Sequence, residues 1–219
     1  MTSVKHTPIY YPMFLNISGK RCTVVGGGQV ALRKVEMLLE FGASVVVISP
    51  ELCSELEQFA ENGKIQVFRR TYQPGDVEQA VVVIAATSDT GINLAVSEDA
   101  RRNDTFVNVV DDASISDFIV PSYMRRGNIT LAISTNGGSP ALARKLRVKL
   151  EKEFGGEYAR LALLVSEVRS EVKQQALKVD GQAWQDALDI DTLIGLLKEG
   201  REDKAKAAIL NTLKVRQAG

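Results

Sequence analysis

The sequence has little of the chemistry that builds metal sites and disulfide frameworks. Its 219 residues include one histidine, His6, and two cysteines, Cys22 and Cys53. The cysteines form no Cys-x-x-Cys pair, and no Cys/His cluster has the spacing of a structural zinc site. We therefore expect no metal held by this chain, and two free thiols are typical of the reducing cytoplasm.

The sequence also lacks an excess of either charge and any long apolar run. Lys plus Arg and Asp plus Glu both number 27, which argues against a nucleic-acid partner. No apolar run is long enough to cross a bilayer, and residues 1–16 have no apolar core of the signal-peptide type. We expect a cytoplasmic protein that binds neither nucleic acid nor membrane.

Short β-branched runs alternate with helical periods over the first half of the chain. The predicted strands span residues 21–25, 44–48, 65–68, 81–86 and 105–110, and the predicted helices span residues 29–41, 51–61 and 90–102. The run at 81–86 is apolar throughout, as in strands covered on both faces. This alternation with short connections predicts an α/β fold with a Rossmann-type, doubly wound parallel sheet.

The alternation stops after Asp112. Residues 118–122 and 129–133 are predicted to form an antiparallel strand pair. A helix then begins at Pro140 with Ser139 as its N-cap. The predicted packing side of this helix consists of its leucines, Leu142, Leu146 and Leu150.

The chain is helical and charged from residue 157 onward. We therefore expect three domains: a Rossmann domain at 1–113, a small α+β domain at 114–153 and a helical C-terminal domain at 154–219.

Three glycines separate the first predicted strand from the first predicted helix. With Ala31 they form the Gly-x-Gly-x-x-Ala pattern of a dinucleotide turn, in the strand–helix context that it requires. Glycine lets a pyrophosphate reach the backbone N–H groups at the helix start. The alternative is a purely structural turn. The predicted contacts to the cofactor, NAD, are Gly26, Gly27, Gly28, Gln29 and Val30.

The second predicted strand ends at Ile48-Ser49-Pro50-Glu51. Glu51 is the acid placed to hydrogen-bond a ribose 2′-hydroxyl, although an acid here also suits a helix start. No arginine follows to hold a 2′-phosphate, which favours NAD over NADP. The predicted cofactor site thus includes Pro50 and Glu51. It also includes Thr87, after the fourth strand, where a plain turn is the alternative.

Asp111 ends the fifth predicted strand, at the edge where open α/β sheets bind ligands. It is a candidate functional acid or a solvated loop acid beside Asp112. A second glycine-containing turn, beginning at Ser134, leads into the helix at Pro140 and either attracts an anion or simply caps the helix.

Six basic residues and no acid lie between Met124 and Leu150. They indicate either an anion-binding surface or a solvated helix face. The candidate anion-binding residues of this region are Ser134, Thr135, Asn136, Gly137, Arg125, Arg144 and Lys145.

Several of these stretches together resemble the precorrin-2 dehydrogenases, the dehydrogenase/chelatase modules of siroheme synthesis. The resemblance covers about residues 11–153 and rests on seven motifs. They are Tyr11-Pro-Met-Phe-Leu15, Gly19-Lys-Arg21, Val24-Val-Gly-Gly-Gly-Gln-Val-Ala-Leu-Arg-Lys34, Ala85-Ala-Thr-Ser-Asp89, Asn108-Val-Val-Asp111, Phe118-Ile-Val-Pro-Ser122 and Ile133-Ser-Thr-Asn-Gly-Gly-Ser-Pro-Ala-Leu-Ala-Arg144.

The resemblance implies NAD-dependent oxidation of precorrin-2 to sirohydrochlorin, with Asp111 as the catalytic aspartate. It also implies a homodimer whose contacts lie in the second domain, and a substrate whose carboxylates meet the basic residues. Some members of the family also insert a metal into the product, and the sequence leaves that activity open. The alternative function is a nucleotide-sensing module without catalysis. Such a module would need neither Asp111 nor the basic region, so the presence of both argues against it.

Overall fold

The structure is a computed structural model that describes residues 9–215, except for the side chain of Val215. His6 lies outside the described residues. The chain divides into two compact units, one ending at Val120 and the other beginning at Pro121.

The first unit is built on one parallel sheet of five short strands. These are β1 (Arg21–Val25), β2 (Ser44–Ile48), β3 (Gln66–Phe68), β4 (Val82–Ala85) and β5 (Phe106–Val109), in the order β3-β2-β1-β4-β5. Thr23 in the central strand pairs with Val46 of β2 and Val83 of β4. All carboxyl ends therefore lie at one edge, where open α/β sheets bind their ligands.

Helices cover both faces of this sheet, because successive side chains of each strand point to opposite sides. The helices are α1 (Gln29–Glu40), α2 (Ser54–Glu61) and α3 (Thr90–Arg102). Cys22 and Val24 share one core with Val35 and Leu56 of α1 and α2. Val25 and Val83 belong to the opposite core, with Val96 and Ala100 of α3. The predicted doubly wound sheet is confirmed.

Helix α2 begins at Ser54, so the predicted helix start at residue 51 is wrong. The Ser49 hydroxyl donates a hydrogen bond to the Glu51 carbonyl at 2.6 Å. The Cys53 N–H donates to the Gly27 carbonyl at 2.8 Å. The first bond closes a turn within the loop and the second holds the end of the loop against the glycine turn, so α2 starts only after Cys53. Glu51 consequently does not serve as an acid of the first helical turn.

The second unit begins with a hairpin of β6 (Ser122–Arg126) and β7 (Ile129–Ile133). The predicted strand at 118–122 is therefore wrong except for its last residue. Arg126 pairs directly with Ile129 across a two-residue turn in which Gly127 has φ +57°, and this turn sets the register. Phe118 instead offers its carbonyl to the Asn108 side chain at 2.9 Å, beside β5.

Helix α4 (Pro140–Glu153) has the predicted N-cap, since the Ser139 hydroxyl accepts from the Leu142 N–H at 3.2 Å. Its predicted packing side is wrong. Ala143 is the buried residue, whereas Leu142 is 49% exposed and Leu146 is 40% exposed. A small side chain at 143 lets the helix approach β6 and β7 closely, and the leucines then stand beside the contact.

The predicted helical tail is confirmed and consists of four helices. They are α5 (Gly156–Gln174), α6 (Gly181–Ala187), α7 (Ile190–Lys198) and α8 (Glu202–Val215). The apolar positions expected at Leu161, Leu164, Val168 and Val172 form one side of their shared core. None of the described helices is long and apolar enough to cross a membrane.

Candidate nucleotide site

Gly26 and Gly27 are required by the fold itself. Gly26 has φ +124°, and a Cβ there would lie 2.5 Å from the Ala86 carbonyl oxygen. A Cβ on Gly27 would lie 1.9 Å from the Glu51 carbonyl oxygen. Both glycines are buried, so two neighbouring loops close onto the turn from either side. This close approach accounts for two of the three glycines without any ligand.

Gly28 differs from its two neighbours. It is exposed, its φ is −88°, and a Cβ there would meet nothing within 4 Å. It stands at the N-cap position of α1 without a side-chain hydrogen bond, and Leu32 is the first residue to donate to its carbonyl, at 3.0 Å. The N–H groups of the first helical turn thus remain available to an anion. Packing within the fold therefore does not require a glycine at this position.

Helix α1 starts at Gln29 and Val30, as the dinucleotide pattern predicts. The Gln29 side-chain amide donates to the Glu55 carboxylate of α2 at 3.3 Å. A hydrogen bond from the Ser54 hydroxyl, followed by other bonds that include the one from Gln29, lowers the pKa of Glu55. Pro50 and Glu51 are exposed beside these residues. Two carboxylates, Glu51 and Glu55, therefore border this side of the turn, and the sequence reasoning found only the first.

The loop after β4 lies on the other side of the turn. Thr87 is held by Asn93, whose side chain accepts from the Thr87 hydroxyl at 2.8 Å and donates to the Thr87 carbonyl at 3.0 Å. The Asp89 carboxylate caps α3 by accepting from the N–H groups of Gly91 and Ile92. The sequence reasoning missed Asn93. Its signal was a polar residue in the apolar helical row that continues with Val96 and Ala100.

Asp111 follows β5 at the same sheet edge. Its hydrogen bonding differs from that of the neighbouring acids, Asp112 and Asp117. The Asp112 carboxylate accepts from the Ser114 N–H and hydroxyl, and the Asp117 carboxylate accepts from the Val107 N–H at 3.0 Å. Asp111 is exposed, and within residues 9–215 its carboxylate has no hydrogen-bond donor. Its φ of +64° is a strained conformation for a side chain other than glycine. Such strain is often retained at functional sites.

Lys34 on α1 interacts electrostatically with Asp111. Burial, followed by the charge of Arg33, lowers the pKa of the Lys34 ammonium, while the Asp111 carboxylate acts in the opposite direction. The free carboxylate at the sheet edge therefore has a half-buried cation as its neighbour. The predicted cofactor residues and Asp111 all belong to the first unit, at its carboxyl edge.

The predicted anion-binding turn belongs to the second unit and is organised by its own hydroxyls. The Ser134 hydroxyl accepts from the Asn136 N–H at 3.0 Å, and the Thr135 hydroxyl accepts from the Ser139 N–H at 3.0 Å. Asn136 and Gly137 have φ values of +51° and +80°. Each hydroxyl oxygen accepts an internal bond and keeps its own proton to donate.

The basic residues of the second unit fall into two groups. Arg126 donates to the carbonyls of Phe154 at 2.8 Å and Glu151 at 3.1 Å, so it caps the end of α4. Arg147 forms an ion pair with Glu151 on the same helix. Arg125 on β6 is exposed. Arg144 and Lys145 are also exposed, and within the described chain neither forms an ion pair.

The described residues contain no group of three or more His, Cys, Asp or Glu side chains placed to hold a metal ion. What the first unit offers is a doubly wound sheet, a tight glycine turn and an open helix N-terminus at its carboxyl edge. These features define a dinucleotide-binding protein of the Rossmann class.

Comparison with known proteins agrees with this class. Residues 13–122 match the family model described as "Putative NAD(P)-binding", and residues 126–153 match the model described as "Sirohaem biosynthesis protein central". The chain belongs to this NAD(P)-binding family, whose model spans half of its length.

Its relatives include two bacterial siroheme synthases. The one from Nitrosococcus oceani is 37% identical over 202 residues, which are 91% of this chain and 43% of the relative. The one from Nitrosospira multiformis is 45% identical over 170 residues, which are 76% of this chain and 36% of the relative. The chain thus spans less than half the length of these relatives.

Among solved structures, "SirC, precorrin-2 dehydrogenase" matches with a TM-score of 0.70 and covers 94% of this chain and 99% of its own. Because the two sequences are 24% identical, this match establishes a shared fold.

Proposed function

We propose that this chain binds NAD⁺ at the Gly26–Gly28 turn and dehydrogenates precorrin-2 to sirohydrochlorin. The observation that carries the cofactor site is Gly28, because the fold leaves open space where its side chain would stand. Backbone N–H groups of Gln29 and Val30 are the donors for the pyrophosphate at the start of α1.

The choice of NAD⁺ over NADP⁺ follows from charge. Glu51 and Glu55 lie beside the turn, where a carboxylate hydrogen-bonds a ribose 2′-hydroxyl and repels a 2′-phosphate. Pro50 fixes the backbone of the same loop, which closes onto Gly27.

The reaction removes one hydride and one proton from the tetrapyrrole. NAD⁺, when bound, supplies the hydride acceptor. Asp111 is the residue proposed to take the proton, because its carboxylate is exposed and free at the sheet edge, whereas Asp112 and Asp117 are engaged in hydrogen bonds. The Lys34 ammonium on α1 is the cation that interacts electrostatically with this carboxylate.

The substrate is a polycarboxylate, and the second unit carries the donors proposed for it. Arg125, Arg144 and Lys145 supply charge, and the turn from Ser134 to Gly137, with Thr135 and Asn136, supplies hydroxyl and backbone N–H groups. We also propose that two copies of the chain associate through α4, whose exposed leucines need a cover. Both cysteines are free thiols, in keeping with a cytoplasmic enzyme.

Gly28→Ala tests the cofactor site. The added methyl group meets no protein atom, so the variant is expected to fold with a thermal midpoint within about 2 °C of the parent. It is expected to weaken NAD⁺ binding about tenfold or more by blocking the approach of the pyrophosphate. Titration calorimetry measures the affinity. Gly156→Ala, also at a helix start in open space, is the matched control.

The dehydrogenase reaction is tested by anaerobic incubation with precorrin-2 and NAD⁺, following NADH and the tetrapyrrole spectrum together. Asp111→Asn is expected to lower kcat by about a hundredfold or more, because the amide cannot take the proton. Asp112→Asn keeps an oxygen for the Ser114 N–H and is expected to stay within about threefold of the parent.

Either of two results would remove this mechanism. If Asp111→Asn turns over at the parental rate, Asp111 has no part in proton removal. If the parent binds NAD⁺ but forms no NADH with precorrin-2, the chain is a nucleotide-sensing module instead. Adding Co²⁺ after complete turnover measures chelation in the same cuvette.

A further inference from the structure

We propose that Asn93 is a positioning residue of the nucleotide site, acting through the loop from Ala86 to Asp89. This inference rests on the proposed NAD⁺ site. Asn93 lies in the first turn of α3 and is 7% exposed, so its amide is withdrawn from solvent. A buried amide is costly unless its polar atoms are paired, so its partners show what it does.

Within the described part of the chain, all the hydrogen bonds of the Asn93 side chain go to one residue, Thr87. Its Oδ1 accepts from the Thr87 hydroxyl at 2.8 Å and from the Thr87 N–H at 3.3 Å. Its Nδ2 donates to the Thr87 carbonyl at 3.0 Å. One side chain therefore fixes both backbone polar groups and the hydroxyl of the residue that follows Ala86.

The held loop forms one wall of the glycine turn. Ala86 donates its N–H to the Val25 carbonyl at 2.8 Å, and its own carbonyl stands where a Gly26 side chain would be. A shift of Thr87 would move Ala86 and open this wall. Through Thr87, the buried Asn93 side chain thus fixes the loop that borders the glycine turn, where the pyrophosphate is proposed to bind.

Helix α3 does not need Asn93 for its own start. Asp89 already accepts from the N–H groups of Gly91 and Ile92 at 2.8 and 3.0 Å. Asparagine also has a low helix propensity, and the buried positions that follow it on this face include Val96 and Ala100. An apolar residue at 93 would suit the helix better, so the amide serves the loop.

The same hydrogen bonds bear on Thr87, which the sequence predicted as a contact to the cofactor. Its hydroxyl donates to Asn93 or to the Asp89 carbonyl at 3.0 Å, and accepts from the Asp89 N–H at 3.1 Å. Thr87 is therefore occupied within the loop. Ser88 is exposed, and within residues 9–215 it makes no hydrogen bond, so it is the residue of this loop left to face a ligand.

The test compares Asn93→Ala with Asn103→Ala. Asn103 lies at the other end of the same helix, where its side chain donates to the Asp99 carbonyl at 2.9 Å. Both variants lose side-chain hydrogen bonds, and both are expected to unfold at lower temperature. Only Asn93→Ala is expected to weaken NAD⁺ binding, by about tenfold, and to raise KM for NAD⁺ while kcat stays within about twofold.

Thr87→Val breaks the same contact from the loop side and serves if Asn93→Ala does not fold. It is expected to weaken NAD⁺ binding by about threefold, and the double variant is expected to lose less than the two single losses combined. Parental affinity in folded Asn93→Ala or Thr87→Val overturns the inference. Absence of NAD⁺ binding by the parent overturns the proposed function instead.

Discussion

At the scale of single residues, the three glycines of the turn after β1 differ in what the fold requires of each. The glycine pattern predicted Gly26 to Gly28 as one motif, whereas the structure shows that loop packing requires the first two and that open space surrounds the third. Asn93 and Glu55 escaped prediction because their partners lie across loops. Such hydrogen bonds depend on the path of the loop, and the spacing of apolar residues in the sequence does not predict that path.

Asp99 gives a prediction at the same scale. It is 5% exposed and accepts from the Tyr72 hydroxyl at 2.5 Å and the Gly75 N–H at 2.8 Å. Burial by itself raises the pKa of Asp99, but the bonds from Tyr72, Gly75 and Arg102 outweigh it and hold that pKa below its usual value. A lowered pKa in the folded state stabilises the protein at pH values above the unfolded pKa of about 3.9, and this stability is lost as the pH falls further.

Asp99→Asn is therefore expected to lower the free energy of unfolding by roughly 2 kcal/mol at pH 7, since the amide cannot accept all of these bonds. The loss is expected to shrink as the pH falls below about 4, because the parental carboxylate is then protonated in the unfolded state and its charge in the folded state stabilises the protein progressively less. Urea unfolding at pH 7 and pH 3 measures both values. Glu98→Gln, an exposed neighbour on α3, is expected to change neither. An equal loss at both pH values would show that the charge of Asp99 is irrelevant.

At the scale of helices and strands, prediction succeeded where the periodicity and the end signals agree. The strands Arg21–Val25 and Ser44–Ile48 and the helix Thr90–Arg102 have the predicted bounds. In each case an apolar run or a helical row ends at a residue that favours a turn or a cap. Local chemistry alone decides such elements.

Prediction failed where a residue far along the chain decides the outcome. Residues 118–121 have the composition of a strand, yet Phe118 is engaged by Asn108, and Pro121 has no N–H to donate to a ladder. The hairpin therefore starts at Ser122. On α4 the leucine row is the most apolar, but the small Ala143 permits the closest approach to β6 and β7. The spacing of apolar residues does not predict which of two neighbouring sides of a helix will pack against a sheet.

At the scale of the whole molecule, the order of elements was enough to predict the class of fold. Strands that alternate with helices over the first half of the chain are typical of a doubly wound parallel sheet, and that sheet is observed. The number of copies that assemble depends on which apolar surfaces remain exposed. The order of elements does not reveal these surfaces, because they depend on which side of α4 packs against β6 and β7. Leu142 and Leu146, one turn apart on α4, are among the large apolar side chains that remain exposed within one chain.

Leu146→Glu tests whether a second copy covers this surface. The parent is expected to sediment at about twice its chain mass of 23.9 kDa, because two exposed leucine rows bury each other in a symmetric pair. A glutamate at 146 places a charge in that contact and is expected to shift the protein to the monomer mass without unfolding it, since Leu146 is 40% exposed within one chain. Sedimentation equilibrium over a range of concentrations measures both.

Leu94→Glu is the matched control, because Leu94 is 44% exposed and belongs to α3 of the first unit rather than to α4. It is expected to leave the mass of the assembly unchanged. A parent that sediments as a monomer at all concentrations would contradict the dimer. A Leu146→Glu protein that keeps the dimer mass would place the interface elsewhere on the chain. If instead Leu146→Glu is monomeric and loses turnover but still binds NAD⁺ with parental affinity, the cofactor site belongs to one chain and the reaction needs the pair.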